Sequence, residues 1–377
     1  MSVSSSFEIV SSKVTPGQLR FRMAVAHGLA TRFHSDNVYI ALRSDSGASG
    51  YGECVPRSYV TGETPDSVLA AAPVLLEPLI SRTFSSPEEV VAALEEAARL
   101  ETGSACPAAR CAVELALLDL AGRHWGIPVS SILGLSRSDR PLVYSLVVPI
   151  VPDDRLERVL ASVSMLRFRH VKVKVDALDP AGRVRRVKAL LPDGCEVRVD
   201  ANCSWSVSNA PGFIDALAVE NVVSVEQPLP AGDMTETGRL RGRGVLITLD
   251  ESVRNEADVE LAASTCACDV VNVRISKCGG LLGALRIIRA AERNGLDVQL
   301  GAQVGESCIL SSAGALLAAG VGSFRWLEGC FGTHLLVEDL CLESLRFGMY
   351  GEVVAPVGPG LGITVVPERM RFEEFGG

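Results

Sequence analysis

His170-Val-Lys-Val-Lys-Val175 is a β-branched run with polar residues at alternate positions, so it reads as a strand carrying Lys172 and Lys174 on one face. Two ammonium groups on an inward face need partners or lose their protons. Alone, the run serves equally well as a solvated edge strand with surface lysines. The residues downstream favour the inward arrangement. Three later runs each end in a carboxylate: Val-Arg-Val-Asp200, Val-Glu226 ahead of Gln-Pro, and Thr-Leu-Asp250 ahead of Glu-Ser. Each follows the last by one strand–helix repeat. On neighbouring strands of a parallel barrel their ends would lie side by side on the rim that carries active sites. Converging carboxylates repel unless a cation joins them. Hard oxygen donors with room for water and substrate suit Mg²⁺, with Mn²⁺ second. Any one of these acids could be an ordinary helix N-cap; three at successive strand ends point to a metal. One repeat further, Val271-Asn-Val-Arg-Ile-Ser-Lys-Cys-Gly-Gly280 places Lys277 at the end of a sixth strand. Lysines then flank the metal from two sides. A lysine of lowered pKa acts as a base, and Lys172 and the cation would lower that of Lys174. The metal would stabilise the charge left when a proton leaves carbon beside a carboxylate.

These residues need a scaffold that brings strand ends together. Strands are expected at Leu142–Val148, His170–Val175, Glu196–Asp200, Val222–Glu226, Val245–Asp250, Val270–Ser276, Asp297–Leu300 and Phe324–Leu327. Helical patterns separate them. Asp179-Pro180 supplies an N-cap and a first-turn proline, and Gly295 closes the helix Leu281–Asn294. This alternation indicates an α/β fold, a (β/α)8 barrel of modified TIM type. A doubly wound sheet is the runner-up, but no Gly-rich phosphate loop follows the first strand. Gly358-Pro-Gly-Leu-Gly362 lies after the barrel and reads as a turn. The first stretch reads as an α+β capping unit. Asn37–Leu42 and Gly50–Glu53 flank the turn Ser44–Gly47, loops are expected at Ala26–His34 and Pro56–Glu63, and a helical zone starts at Pro65. Ala108–His124 reads as an amphipathic helix closed by Gly126 and Pro128. The expected division is a cap over 1–135, a barrel over 136–343, and a tail over 344–377 that returns to the cap.

With 377 residues, 47% of them hydrophobic, the chain has enough material for two domains. A net charge of −9 argues against a nucleic-acid partner. Met1–Ser6 lacks the regions of a signal peptide. Ser311–Val321, the longest apolar candidate, is too short to span a membrane. The 11 cysteines are scattered and show no zinc spacing, so reduced thiols and a cytoplasmic location are expected. Cys266 and Cys268 read as buried helix residues.

The motifs together resemble the enolase superfamily, in the branch of muconate lactonizing enzyme, o-succinylbenzoate synthase and the dipeptide epimerases. Gly50-Tyr-Gly-Glu-Cys54, Thr61-Gly-Glu-Thr64 and Ala112–Gly122 resemble its capping domain. The Lys-x-Lys, Asp-x-Asn, Glu-Gln-Pro, Asp-Glu-Ser and Lys-x-Gly-Gly motifs recur in barrel order. The resemblance implies Asp200, Glu226 and Asp250 as Mg²⁺ ligands, Asn202 and Glu251 supporting them, Lys174 and Lys277 as the acid/base pair, and Lys172 on the substrate carboxylate. The mandelate racemase branch carries a His on strand seven. Here Leu300-Gly-Ala-Gln-Val-Gly-Glu-Ser307 has none, which excludes it. The implied reaction is proton abstraction α to the carboxylate of a small molecule, epimerising an amino-acid derivative or dipeptide. Muconate-type cycloisomerisation, o-succinylbenzoate-synthase-like elimination and a barrel kept only for binding are the alternatives. Arg57, Tyr59 and Thr61 are expected over the mouth. Dipeptide epimerases carry Asp-x-Asp on strand eight; Arg325-Trp-Leu-Glu-Gly329 has only Glu328, with Glu306 a second candidate carboxylate. Arg274 stands where the family often has lysine. A homo-oligomer is expected.

Overall fold

Valine alternates with charge along strands two and three, and the barrel turns that alternation into a wall with an apolar outside and a charged inside. The computed structural model describes residues 6–27, 30–80, 82–100, 106–343 and 345–370. Eight parallel strands, Leu146–Val148, His170–Lys174, Glu196–Asp200, Ser224–Glu226, Leu246–Leu249, Val270–Val273, Asp297–Leu300 and Phe324–Leu327, pair in chain order. The Ser145 N–H donates to the Leu327 carbonyl at 2.7 Å, and Tyr144 bridges Leu327 in parallel, so the first and last strands meet. A helix follows each strand, although the eighth is only Gly332–Leu335. The expected barrel therefore holds, with its last helix reduced to one turn.

Register explains the buried lysines. Lys172 lies beside Arg198, Lys174 beside Asp200, and Asp200 beside Glu226. Lys172 and Lys174 are 3% and 8% exposed, which excludes the solvated edge strand. Two boundaries differ from expectation by three residues or more. Leu142–Val143 leaves the barrel to pair antiparallel with Glu352–Val353. Strand six stops at Val273, because the Cys278 N–H closes a turn onto the Arg274 carbonyl at 3.0 Å. β-Propensity continues through Ile275, but turn hydrogen bonds override it.

The cap is a four-stranded sheet of Phe7–His27, Ala30–Ser44, Ser49–Cys54 and Thr83–Phe84, with helices Pro65–Ile80, Pro87–Ala97 and Pro107–Trp125. The loop expected at Ala26–His34 is largely strand, since pairing continues to Ala26 opposite Thr31. Pro107–Trp125 is buried on nearly every face rather than one. It rides directly on the strand Ser49–Cys54: a Cβ on Gly52 would lie 1.9 Å from the Ala112 carbonyl oxygen. The tail packs on the same helix. The Leu361 N–H donates to Asp119 Oδ1 at 2.8 Å, and Arg123 Nη2 donates to the Ile363 carbonyl at 2.6 Å. The readings made on Met1–Ser5, Ser344 and residues 371–377 lie outside the described residues. No helix among the described residues is long and apolar enough to cross a membrane.

Two cap carboxylates serve as N-caps for barrel helices. Glu53 accepts the Ser307 and Leu310 N–H groups, at 3.0 and 3.1 Å, ahead of and within the helix Cys308–Val321. Glu114 accepts the Leu281 and Leu282 N–H groups at the start of Leu281–Arg293. Orphan helix donors and the helix dipole favour a carboxylate at both places. Gly280 makes room for Glu114. Its φ of +109° is closed to most side chains, and a Cβ would meet the Glu114 carboxylate at 2.4 Å. Gly280→Ala should therefore cost at least ~2 kcal/mol, read as a lower urea midpoint at unchanged slope.

Two cysteine readings are corrected. Cys308 and Cys341 form a disulfide with Cα atoms 6.2 Å apart, although nothing in their spacing suggested a pair. The other nine cysteines form no disulfide. Cys266 and Cys268 lie beyond the helix Glu256–Ser264, and only Cys268 is buried. A left-handed turn at Cys266, φ +52°, ends the helical pattern there.

Candidate active site

Asp200 and Glu226 end strands three and four and Asp250 directly follows strand five, all three essentially inaccessible to solvent. Shared cations show how closely they converge. Lys172 Nζ lies 3.5 Å from Asp200 and 3.3 Å from Glu226. Arg274 contacts Asp250 and lies 3.8 Å from Glu226. At the two ends of the row stand the remaining lysines. Lys174 Nζ is 3.3 Å from Asp200 Oδ2 and 2.7 Å from Asn202 Oδ1. Lys277 Nζ donates to Asp250 Oδ1 at 2.8 Å, to the Asp250 carbonyl at 2.6 Å and to the Asn272 carbonyl at 2.9 Å.

This crowding sets the charges. Burial would raise the Asp200 carboxyl, but Lys174, Lys172 and Arg274 hold it well below the usual carboxylate range. Glu226 is lowered in the same way, with Lys172 overcoming burial. Burial works against the Lys172 ammonium, yet Glu226, Glu328 and Asp200 keep its pKa raised. Lys277 is lowered to about 8, chiefly by burial. Glu251 is raised by burial and by Asp200 and Glu226.

A cavity of about 770 Å³ opens above this floor. Lys172, Lys174, Asn202, Glu251, Arg274, Glu306, Glu328 and Tyr59 line it, and Phe168, Phe331 and Phe347 give it an apolar side. Lys277 does not line it; it is fully buried and bonds to Asp250. Glu328 is held by Lys172 at 2.5 Å and Arg198 at 3.0 Å, so both its oxygens face cations. Two expected mouth residues do not reach the cavity wall. Arg57, 2% exposed, donates to the carbonyls of Val304 at 2.8 Å and Pro56 at 2.9 Å and to Ser35 Oγ at 2.8 Å. It clamps the loop after strand seven to the cap, because a guanidinium fork satisfies several carbonyls where a loop cannot pair its own. Thr61 bonds to Glu63. Sequence reasoning missed the network beneath the floor. Gln299 donates to Glu226 Oε2 at 2.8 Å, Asn272 to Glu226 Oε1 at 2.8 Å, and Arg198 to Gln299 Oε1 at 2.5 Å. Val-Arg198-Val and Val-Gln299-Leu repeat the alternation of Val-Lys-Val-Lys, and that was the available signal.

The residues fit a hard divalent cation by donor chemistry. Three buried carboxylates converge, and the buried Glu251 Oε2 has no hydrogen-bond partner. Among the described residues no three acidic, His or Cys side chains stand as a finished coordination shell. The carboxylates turn to Lys172, Lys174, Lys277 and Arg274 instead, as excess negative charge in a buried site requires.

The comparisons agree with this geometry. Residues 10–134 match the mandelate racemase/muconate lactonizing enzyme N-terminal domain, and 154–369 match the enolase C-terminal domain-like family. A hydrophobic dipeptide epimerase of Citrifermentans bemidjiense is 31% identical over 92% of this chain and 95% of its own. The structure of a dipeptide epimerase from Cytophaga hutchinsonii, complexed with Mg and D-Ala-L-Val, superposes with a TM-score of 0.87 at 25% identity, covering 96% of this chain and 97% of that one. The muconate lactonizing enzyme of Pseudomonas fluorescens, complexed with muconolactone, gives 0.88 at 26% identity over 96% and 98%. The chain belongs to the enolase superfamily, in its muconate lactonizing enzyme branch.

Proposed function

We propose that this isomerase epimerises an amino-acid derivative or dipeptide by removing the proton α to its carboxylate on one face and returning it on the other. The observation that carries the reading is the placing of Lys174 and Lys277 at opposite ends of one carboxylate row, against Asp200 and Asp250. Lys172, held protonated, binds the substrate carboxylate from below. Lys174, on the cavity wall, faces one side of the α-carbon. Lys277 serves the other. As a neutral amine it keeps two N–H donors and gains a lone pair, so one of its three contacts opens. Its lowered pKa leaves the neutral form accessible near neutral pH. Asp200, Glu226 and Asp250 would hold Mg²⁺, or Mn²⁺ in its place, with Asn202 and Glu251 behind them. Once bound, the ion would stabilise the negative charge that develops on the substrate carboxylate. The phenylalanine side of the cavity excludes water and takes an apolar substituent.

Incubation with acyl-amino acids, dipeptides and muconates in D₂O tests the reading. Deuterium should enter the α-carbon of at least one amino-acid derivative with inversion. A muconate that cyclises while every amino-acid derivative stays unlabelled would replace epimerisation by cycloisomerisation. The same proposal takes 1–135, 136–343 and 344–377 as cap, barrel and returning tail of a homo-oligomeric, cytoplasmic enzyme. Light scattering and cell fractionation check the last two.

The cap residues should separate binding from folding. Tyr59→Ala should raise KM several-fold with the thermal midpoint little changed, because Tyr59 lines the cavity. Arg57→Met should instead lower stability by about 2 kcal/mol or more, because it leaves buried carbonyls unpaired. An Arg57→Met protein of normal stability and altered KM would return Arg57 to the mouth.

A further inference from the structure

Two carboxyl groups, Glu53 and Glu306, come together where the cap meets the loop after strand seven. Glu53 is richly supplied with donors. It accepts from Asn37 Nδ2 at 2.6 Å, Ser307 Oγ at 2.6 Å, and the Ser307 and Leu310 N–H groups at the start of a helix. That setting suits a carboxylate. Glu306 accepts from one donor, the Gln303 N–H, at 2.6 Å to Oε1. The cations that bear on it are engaged elsewhere: Arg57 on Val304, Pro56 and Ser35, and Arg274 on Asp250 and Gln303. The other groups facing Glu306 are Cys111 on the cap helix, Tyr144 ahead of strand one and Cys330 after strand eight. Burial raises the pKa of each and so keeps it uncharged.

Two carboxyl groups in one poorly solvated site do not both ionise readily, and the proton settles on the one with fewer donors. That is Glu306. Burial and the Glu53 charge push it up to about 8, against about 7 for Glu53. Deep as it lies, Glu306 keeps part of its surface open, and it opens onto the cavity beside Gln303 and Glu328. The Gln303 N–H occupies Oε1, which leaves Oε2 to carry the hydroxyl.

We propose that Glu306 binds the substrate as an un-ionised carboxylic acid, donating a hydrogen bond from Oε2 to a carbonyl or carboxylate oxygen in the cavity. This rests on the cavity being the substrate site. As a neutral acid it donates where a carboxylate could only accept, and it selects substrates that present an acceptor oxygen there. The test compares wild type, Glu306→Gln and Glu306→Ala with the substrate found in the D₂O screen, alongside infrared difference spectra of the unliganded proteins. Gln keeps a donor and cannot ionise. Glu306→Gln, which still donates, should retain about 10-fold or more of the kcat/KM that Glu306→Ala loses. Glu306→Ala should lose about 10- to 100-fold, the range of a lost hydrogen bond to a substrate. The wild-type minus Glu306→Gln spectrum at neutral pH should contain a carboxylic-acid C=O band. A Glu306→Gln enzyme as impaired as Glu306→Ala, or a difference spectrum with a carboxylate band instead, overturns the proposal. The infrared measurement is independent of turnover. If no compound exchanges its proton, the functional reading fails and the band alone decides the state of Glu306.

Discussion

Asp250→Asn is expected to weaken metal binding and stop turnover together. Asp250 closes the row of three carboxylates, and its loss removes one charged oxygen donor from a site whose affinity follows ligand charge and number. Metal affinity should fall on the order of 10²-fold or more, as loss of even a supporting residue costs 10–100-fold. The substitution has a second effect that calorimetry separates from the first. Arg274 and Lys277 both pair with Asp250 in a site sealed from solvent. Removing the charge leaves two buried cations short of a partner, and breaking such pairs costs about 3–5 kcal/mol. Metal content by elemental analysis, titration calorimetry with Mg²⁺ and unfolding in urea should each be run on the same preparation. An EDTA-treated wild-type protein that contains no metal and keeps full activity would rule the metal out. A folded Asp250→Asn protein that binds Mg²⁺ as tightly as wild type would take Asp250 out of the site.

Much of this site was legible because period-two alternation and one-repeat spacing are properties of sequence. Lys172, Lys174, Asp200 and Glu226 stand where strand register requires, and Asp250 follows the next strand in step with them. What was not legible depends on contacts between distant segments. Arg57 reads as a mouth residue until the carbonyls of Val304 and Pro56 are seen to surround it. Glu114 sits in a helix that looks amphipathic, and only its meeting with Leu281 shows that it caps a barrel helix. The Cys308–Cys341 pair joins a helix start to the segment just ahead of the tail, a proximity that no local spacing encodes. Lys277 lies between these cases. The motif fixed its identity, but the strand was read too far, and the turn at Arg274–Cys278 leaves the ammonium fully buried and outside the cavity lining. Gly280 shows the same limit. Its recurrence in Lys-x-Gly-Gly was visible, while its physical reason, room for Glu114, lies in the other domain.

Lys174→Ala and Lys277→Ala should each abolish epimerisation while keeping proton exchange of opposite stereochemical preference. The two ammonium groups stand at opposite ends of the carboxylate row, one reached from strand two and the other from the turn after strand six. On the proposed mechanism each would address one face of the substrate's α-carbon. For one enantiomer Lys174 would be the base and Lys277 the acid; for the other the roles would exchange. Without one lysine, reprotonation on its face has no donor, and inversion should fall by roughly 10²–10⁴-fold, the usual contribution of a general acid or base. The surviving lysine still removes and returns the proton on its own face, so deuterium enters one enantiomer without inversion. Lys277→Ala also frees Asp250 and Asn272 from their hydrogen bonds, so circular dichroism and a urea midpoint must show a folded protein before its kinetics are read. A one-base cycloisomerase behaves differently: one variant loses all exchange, and the other loses mainly binding. Exchange of the same enantiomer by both variants, or unchanged turnover in either, would remove one lysine from the chemistry. The direction of the residual exchange would identify the lysine that remains.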